Sequence, residues 1–440
     1  MDINILVVAV AVLAFGLFAG RLRGTPLTAP MVFTAAGLLL GQSVLGILDV
    51  GVDSGFVSSL AETALVVVLF TDASRMDLRT VAREHSLALR LLLIGLPLAI
   101  AVGALAGSLL LPTLSLAAVG LLAVTLAPTD AALGQAFVNN ESVPQRIRQT
   151  LNVESGLNDG LAVPFLTVLL DIGLHQADSP WRYALLLAQL VGIGVGVGLA
   201  VGWLGGRLLT WSASRDWATG STQRLGTLAL PAIAYAASSL LGGNGFVASF
   251  VAGLAVGTAA RSLLKGTTAF AEAEGQLLTL LTFLLFGSVI AGQLLSGLSW
   301  QVIVYALVSL LLVRPVAVAL SLLGSGVAPS TTAFIGWAGP RGLASIVYAV
   351  VIAESGVPGA QLVFLAAAWT ILLSIVLHGV TSAPISNLYG RRIGQRRGDG
   401  APEHRTVQHL PVRLPPFDHV SHGGRPGTTT RGAPRREPTT

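Results

Sequence analysis

The chain has 440 residues, of which 53% are apolar and only 11% charged, against about 25% charged in a soluble domain; with a mean hydropathy of +0.76 it has too little polar surface for a water-soluble fold and too much apolar content for disorder. It contains no cysteine, which excludes disulfides, thiolate metal sites and cysteine nucleophiles, and its 6% aromatic content is thin for the stacking platforms of a nucleic-acid binder. The net charge of +5 is uneven, since ten of the 26 Lys and Arg follow Tyr389, and the composition describes an all-α polytopic membrane protein with a basic tail.

A membrane-spanning helix needs about 20 apolar residues. Thirteen segments meet that need: 3–20, 27–47, 55–72, 87–111, 115–137, 147–172, 181–209, 223–241, 245–260, 274–296, 299–323, 331–353 and 360–385. Their apolar runs are continuous rather than alternating, which excludes an outer-membrane barrel. The first lacks a basic n-region, carries Asp2 and is followed by Arg21 and Arg23 instead of a cleavage site, so it reads as a helix with its N-terminus outside and not as a signal peptide. On that count the inner connections hold Arg21, Arg23, Arg75, Arg79, Arg83, Arg90, Arg146, Arg148, Arg207, Arg215, Arg224, Arg261 and Lys265, while the outer ones hold only Arg182. This is the positive-inside pattern. It predicts a multi-pass protein of the plasma (inner) membrane with its C-terminal tail in the cytoplasm.

An ionisable group inside the bilayer costs several kcal/mol, which makes each one a functional candidate. Outside the loops and tail these are Glu62, Asp72, Asp130, Glu154, Asp159, Arg314 and Arg341. The fifth segment reads LLAVTLAPTDAALGQAF. Pro128 removes a backbone donor and crowds the preceding turn, while Thr129 and Asp130 supply the acceptors of a helix N-cap. The helix is therefore expected to break at 127–130 and restart, with Asp130 offsetting the positive end of the new dipole. A broken helix inside a membrane is tolerable where it lines a cavity or binds an ion. The sixth segment reads TLNVESGLNDGLAVPFLTVLL. Glu154 and Asn158 are four apart, as are Ser155 and Asp159, so the two pairs occupy faces about 100° apart. Ser155 and Asp159 can address one cavity while Glu154 addresses another neighbour. The twelfth segment, AFIGWAGPRGLASIVYAVV, sets Pro340 and Arg341 between Gly339 and Gly342, which predicts a second break with Arg341 at it.

The two interrupted segments stand seven places apart in the order of spans. That spacing points to two inverted repeats, segments 1–6 and 8–13 with segment 7 as linker, and a site near the midplane. At 1.5 Å per residue, Asp130, Asp159 and Arg341 lie roughly 11, 18 and 15 Å from the inner ends of their helices, all in the middle of the bilayer. Arg341 leans toward its helix N-terminus, on the cytoplasmic side where Glu154 lies. Arg314 and Glu62 find no partner in the sequence. His378, in the last segment, reads as a packed or capping residue rather than a proton relay. The tail, residues 390–440, is rich in Pro, Gly, Arg and Thr and is expected to be disordered. Its first arginines, Arg391, Arg392, Arg396 and Arg397, serve either as a topology anchor or as an attraction to anionic lipid.

The runs PTDAALGQAFV and VPQRIRQTLNVESGLNDGLAVP, with GNGFVASFVAGL, LLTLLTFLLFG, WAGPRGLAS and SIVLHGVTSAP, resemble the monovalent cation:proton antiporter-1 family, NhaP-like branch, across nearly all of 1–390. The resemblance implies thirteen helices, a homodimer, and a transmembrane antiporter domain at 1–389. Within it, helices 4–6 and 11–13 would form the transport core and helices 1–3 and 7–10 the dimerisation scaffold. It implies exchange of Na⁺ or Li⁺, or K⁺, for H⁺ at the aspartate of the Asn-Asp pair, here Asp159. By the same resemblance Thr129, Asp130, Ser155 and Asn158 shape the cation and proton site, and Glu154 pairs with Arg341. The family carries an acid after a Leu-Phe run in its third helix, and LFTDASR places Asp72 there as a candidate accessory acid.

Na⁺ and K⁺ are hard cations, and the Asp159 carboxylate, the Ser155 hydroxyl, Thr129 and water supply oxygens for them. One buried carboxylate holds either a proton or a cation, and burial raises its pKa toward the working pH. Exchange of this kind needs no cofactor, no ATP and no nucleic-acid partner; monovalent cations, protons and the lipid bilayer suffice. A Na⁺-coupled symporter of an organic anion on a related inverted-repeat fold is the competing transporter reading. It would call for unpaired cationic groups at the breaks, where acids dominate instead. An intramembrane enzyme is the reading from another class, and neither HExxH nor an intramembrane Gly-x-Gly-Asp motif occurs.

Overall fold

The computed structural model describes residues 2–22, 25–42, 44–48, 55–175, 180–293, 299–394, 402–405, 407 and 410–411. In chain order the helices are α1 (Asp2–Phe18), α2 (Ala29–Leu40), α3 (Phe56–Arg75), α4 (Leu78–Glu84), α5 (Ser86–Arg90), α6 (Leu96–Leu110), α7 (Leu116–Leu126), α8 (Ala131–Val138), α9 (Gln145–His175), α10 (Pro180–Ala213), α11 (Gly220–Leu240), α12 (Gly245–Ala259), α13 (Arg261–Gln293), α14 (Trp300–Val308), α15 (Arg314–Ser321), α16 (Pro329–Trp337), α17 (Leu343–Glu354) and α18 (Ala360–Gly394). Each of the thirteen apolar segments is occupied by one of these helices or by a consecutive pair. Among the described residues eight helices are long and apolar enough to cross a membrane, or nine if the bent pair α7–α8 is one span. α2, α12 and α17 are apolar but have only 12, 15 and 12 residues. The expected count of thirteen therefore exceeds what helix length and composition establish.

Three local devices follow from the sequence. Between α7 and α8 the axis turns by 43°, at the break foreseen at Pro128. Between α16 and α17 the chain is non-helical through 338–342, at the break foreseen at Pro340. The third was not foreseen: α5 and α6 are joined by a π-helical stretch, Leu91–Gly95, and α14 and α15 by another, Ser309–Val313. Each stretch is followed by one residue and then a proline, Pro97 or Pro315. A proline ring clashes with the carbonyl four residues back, here Leu93 or Leu311, and widening the turn to π geometry relieves it.

α3 lies at the centre, packed against α12, α13, α17 and α9, and fourteen of its twenty residues are buried. α2 crosses α13 at backbone contact. A Cβ on Gly37 would sit 1.9 Å from the Leu284 carbonyl oxygen, and one on Gly287 2.3 Å from that of Thr34. Only glycine permits this approach, which is how helices pack where lipid competes for apolar surface. At the periphery, α1 and α10 carry apolar outer faces, including Leu6, Leu13 and Leu17 on α1 and Leu199, Trp203 and Leu208 on α10, all exposed.

Within the tail, a few described residues are ordered against the helices. α18 continues to Gly394, and residues 402–411, where described, are docked on the helices. Glu403, Val407 and Leu410 are 3%, 6% and 3% exposed. The Glu403 carboxylate accepts from the Ala328 N–H and from the Thr331 hydroxyl, at 2.6 and 2.9 Å. Burial alone would push its pKa up, but these hydrogen bonds hold it below the ordinary 4.5, so it stays ionised at neutral pH. Composition argued for disorder because it counts residues; it does not see a few apolar and acidic side chains that fit a preformed surface. Of the tail arginines, Arg396 and Arg397 lie outside the described residues, as do 412–440 and His409, His419 and His422.

Candidate functional site

The two breaks cross each other and are tied by the residues that cause them. The Asp130 N–H donates to the Pro340 carbonyl at 2.9 Å. The Asp130 carboxylate accepts from Leu133 N–H at 2.7 Å and, through its other oxygen, from Leu343 N–H at 2.9 Å. One acid thus caps the first turns of both restarted helices, α8 and α17, whose positive dipole ends converge on it. A Cβ at position 342 would lie 2.3 Å from the Asp130 carboxyl carbon, which is why a glycine stands there. The opposite charge serves the opposite end: the Arg341 guanidinium, 1% exposed, donates to the Ala127 and Pro128 carbonyls at 3.3 and 3.1 Å. These carbonyls close α7 and lose their helical partners at the break.

The second break is braced from α18. Ser374 Oγ accepts from Arg341 N–H at 2.8 Å and meets His378 Nδ1 at 3.1 Å. His378 Nε2 lies 2.9 Å from the Trp337 carbonyl at the end of α16, with the two rings stacked at 4.8 Å. His378 is therefore a capping and packing residue in the structure.

Against this crossing lies α9. Thr129 Oγ1 is 3.1 Å from Ser155 Oγ and accepts from Asn158 Nδ2 at 2.7 Å. Asp159 follows Ser155 by one helical turn and is 7% exposed; its backbone carbonyl accepts from the Tyr348 hydroxyl of α17 at 2.7 Å. Thr129, Asp130, Ser155, Asn158 and Asp159 are all buried and come from two elements that the sequence separates by about 25 residues. Asn158 Oδ1 has no hydrogen-bond partner and Ser345 Oγ on α17 has none, so acceptor oxygens remain in this buried, polar region. Asp72 approaches from α3: its Cβ lies 3.9 Å from where a Cβ on Gly156 would be, on the turn of α9 that carries Ser155.

The expected ion pair between Glu154 and Arg341 is overturned. Glu154 is bound by Arg314, Nη1 to Oε1 at 2.8 Å and Nη2 to Oε2 at 3.0 Å, with Nη2 also donating to the Ile335 carbonyl at 3.3 Å. The π-helical stretch before Arg314 shifts its register by one residue and turns it inward. Gly339 leaves it room, since a Cβ there would lie 1.8 Å from Arg314 Nε. Arg341 is instead spent on the α7 carbonyls. Glu62, also without an expected partner, accepts from the Tyr235 hydroxyl at 3.3 Å.

Residues 5–388 match the family described as sodium/hydrogen exchanger, transmembrane. The chain is 33% identical over 273 residues to the K⁺/H⁺ antiporter NhaP2 of Shewanella baltica, covering 59% of this chain and 45% of that protein. It is 27% identical over 391 residues to the K⁺/H⁺ antiporter NhaP of Alkalimonas amylolytica, covering 87% of this chain and 67% of that protein. The chain spans about half the length of the NhaP2 relatives it matches. The solved structure of the sodium proton antiporter MjNhaP1 from Methanocaldococcus jannaschii at pH 8 superposes with a TM-score of 0.69 at 21% identity, covering 87% of this chain and 97% of that one. At that identity the likeness shows the fold.

Proposed function

Because this chain belongs to the sodium/hydrogen exchanger family of monovalent cation:proton antiporters, we propose that it exchanges Na⁺, Li⁺ or K⁺ for H⁺ by alternating exposure of Asp159. The observation that carries this reading is the contact of Thr129 with Ser155 and Asn158, which sets hydroxyl oxygens beside the turn that bears Asp159. A hard monovalent ion takes such oxygens together with a carboxylate. A proton takes the carboxylate alone, so the two compete for one group. Asp130 contributes a fixed charge that holds the crossing together, and Asp72 is positioned to modulate the site from α3.

We read the protein as a homodimer in the plasma (inner) membrane, with thirteen spans, an external N-terminus and a cytoplasmic tail. Segments 4–6 and 11–13 form the moving core, and segments 1–3 and 7–10 the scaffold. Support for the inverted repeat comes from two correspondences at a spacing of seven spans: breaks in segments 5 and 12, and a π-helical stretch before a proline in segments 4 and 11. The apolar outer faces of α1 and α10 suit lipid and a second copy.

The experiment is reconstitution in vesicles with an internal pH dye, followed by addition of Na⁺, Li⁺ and K⁺ in turn. Proton efflux driven by at least one of them is expected; none would overturn the reading. In the same assay Asp130→Asn is expected to cripple exchange and also to lower the thermal midpoint. An amide still accepts from one helix N-terminus but no longer carries the charge that both dipoles oppose. An unchanged midpoint would argue that Asp130 is a ligand only.

Exchange is expected to be electroneutral, one cation per proton. Asn158, before Asp159, does not titrate. The single lysine, Lys265, is outside the apolar segments. The Asp130 carboxylate is already engaged by the N-termini of α8 and α17. A charge crossing the membrane responds by about 2.3 kcal/mol per 100 mV. The check is therefore cation-driven proton flux at potentials imposed by valinomycin, or by a thiocyanate gradient if K⁺ is itself carried. A driving force that follows the potential would require a second titrating acid.

A further inference from the structure

The inner end of α10 carries a repeat that has no part in the exchange site. Trp203, Arg207, Trp211 and Arg215 follow one another at steps of four, along one ridge of α10 and into the turn that ends it. All four are exposed. The Arg207 guanidinium carbon lies 4.6 Å from the centre of the Trp203 ring, and that of Arg215 4.1 Å from the Trp211 ring, both at cation–π distance. The turn completes the patch. The Asp216 N–H donates to the Ala213 carbonyl at 3.2 Å and the Trp217 N–H to the Ser212 carbonyl at 3.1 Å, the two bonds of a Schellman cap. Asp216 takes the left-handed conformation that such a cap needs, at φ 56°. Trp217 is thereby folded back edge-on against Trp211, with ring centres 5.0 Å apart.

Depth gives the ridge its meaning. Trp181, also exposed, and Trp203 are 22 positions apart on α10, about 33 Å of rise, against about 30 Å for the hydrocarbon layer. The two indoles thus mark the two boundaries of the bilayer; Arg207 stands in the headgroup layer beyond the second and Arg215 at its aqueous edge. An arginine at such a boundary ordinarily extends toward water. Side chains on a helix lean toward its N-terminus, which on α10 is toward the hydrocarbon, and stacking on Trp203 holds Arg207 there. The indole covers one face of the guanidinium, while its N–H edge has no acceptor among the described residues. The same holds for Arg215, and Asp216, the single acid between 203 and 224, forms no ion pair with either arginine among the described residues. A planar N–H edge held at this depth matches phosphate oxygens two at a time. Leu204 and Leu208, 51% and 62% exposed, flank the ridge and offer acyl chains an apolar face. Resting on the topology proposed above, we propose that this ridge binds the phosphate of an anionic phospholipid of the inner leaflet, with Arg207 as the direct contact and Arg215 raising the local positive potential. The bound lipid then fixes in the membrane the scaffold against which the core moves.

The test uses the full chain in phosphatidylcholine vesicles, with tryptophan fluorescence as the readout. Brominated phosphatidylglycerol as a minor component should quench at least twice as strongly as brominated phosphatidylcholine at the same fraction. Arg207→Gln with Arg215→Gln, which leaves every tryptophan in place, should reduce that excess at least fourfold. Arg207→Lys, which keeps the charge and loses the planar fork, should at least halve it, and Trp203→Phe should lower the quenching by phosphatidylglycerol. Arg391→Gln with Arg392→Gln is the control and should keep the excess whole. Equal quenching by the two lipids, an excess undiminished in the Arg207 variants, or an excess lost in the control would overturn the proposal. Loss of the excess on adding inorganic phosphate at constant ionic strength would overturn it in favour of a site for a free anion. Quenching untouched by Trp203→Phe would overturn it in favour of a second copy of the chain over the ridge. The readout contains no transport: a normal lipid preference in a protein that exchanges no cation would overturn the antiporter reading alone, and normal exchange without the preference would overturn this one alone.

Discussion

Asp159→Asn is expected to abolish cation-driven proton movement while the protein still folds and inserts. The amide has nearly the shape of the carboxylate and can still accept and donate hydrogen bonds at its place on α9, but it neither titrates nor neutralises a cation. Both half-reactions lose the same group. The neighbouring structure has ties that the substitution leaves in place: Tyr348 donates to the Asp159 backbone carbonyl, and the crossing is held through Asp130 and Arg341. A drop in flux to the level of empty vesicles is therefore expected, with a thermal midpoint in detergent within a few degrees of the parent. Asp130→Asn should show the converse balance, with partial activity and a clear fall in the midpoint. Normal pH recovery by the Asp159 variant would move the exchanged proton to another acid, with Asp72 the first to test because it lies against the same turn of α9.

Which parts of this arrangement a sequence can show depends on the range of the interaction. Pro128 and Pro340 act on their own helices, so both breaks were legible, and so was the capping role of Asp130, which is local to α8. That the same carboxylate also caps α17 depends on two helices more than 200 residues apart and has no local trace. Ser155 and Asp159 share a face by helical geometry alone, but the meeting of Ser155 with Thr129 is tertiary. Arg314 was missed as the partner of Glu154 because a π-helical stretch moves it by one register. The readable signal was the proline that follows it, repeated at Pro97. The family resemblance and the lean of Arg341 toward the side where Glu154 lies favoured Arg341, yet a broken helix has its own unsatisfied carbonyls and claims the nearest cation first. The docking of the described tail residues had no local trace for a related reason: Pro, Gly and Arg content describes how a segment behaves alone, whereas Glu403 and Leu410 dock on surfaces that other helices build.

Arg314→Ala is expected to be among the most destabilising single substitutions in the protein. It strips the carboxylate of Glu154, a residue 4% exposed in the parent, of both bidentate hydrogen bonds, and breaking one side of a buried pair costs about 3–5 kcal/mol. Glu154→Gln should cost less, because Gln keeps an acceptor for Arg314 while stranding the cation. The pair Arg314→Ala with Glu154→Gln should then be much milder than the sum, since the second change removes the charge that the first exposes. Arg341 provides the control. Arg341→Ala uncaps the Ala127 and Pro128 carbonyls, at about 1–3 kcal/mol for each buried group left unsatisfied. Both hydrogen bonds of the Glu154 carboxylate come from Arg314, while the Arg341 guanidinium donates to backbone carbonyls of the first break. Arg341→Ala and Glu154→Gln should accordingly combine close to additively. The measurement is the thermal midpoint of the purified protein in detergent for the parent, the three single variants and the two double variants, at one scan rate because unfolding of such proteins is rarely reversible. Strong coupling of Glu154 to Arg341 with additivity toward Arg314 would reverse the assignment and return Glu154 to the arginine at the helix break.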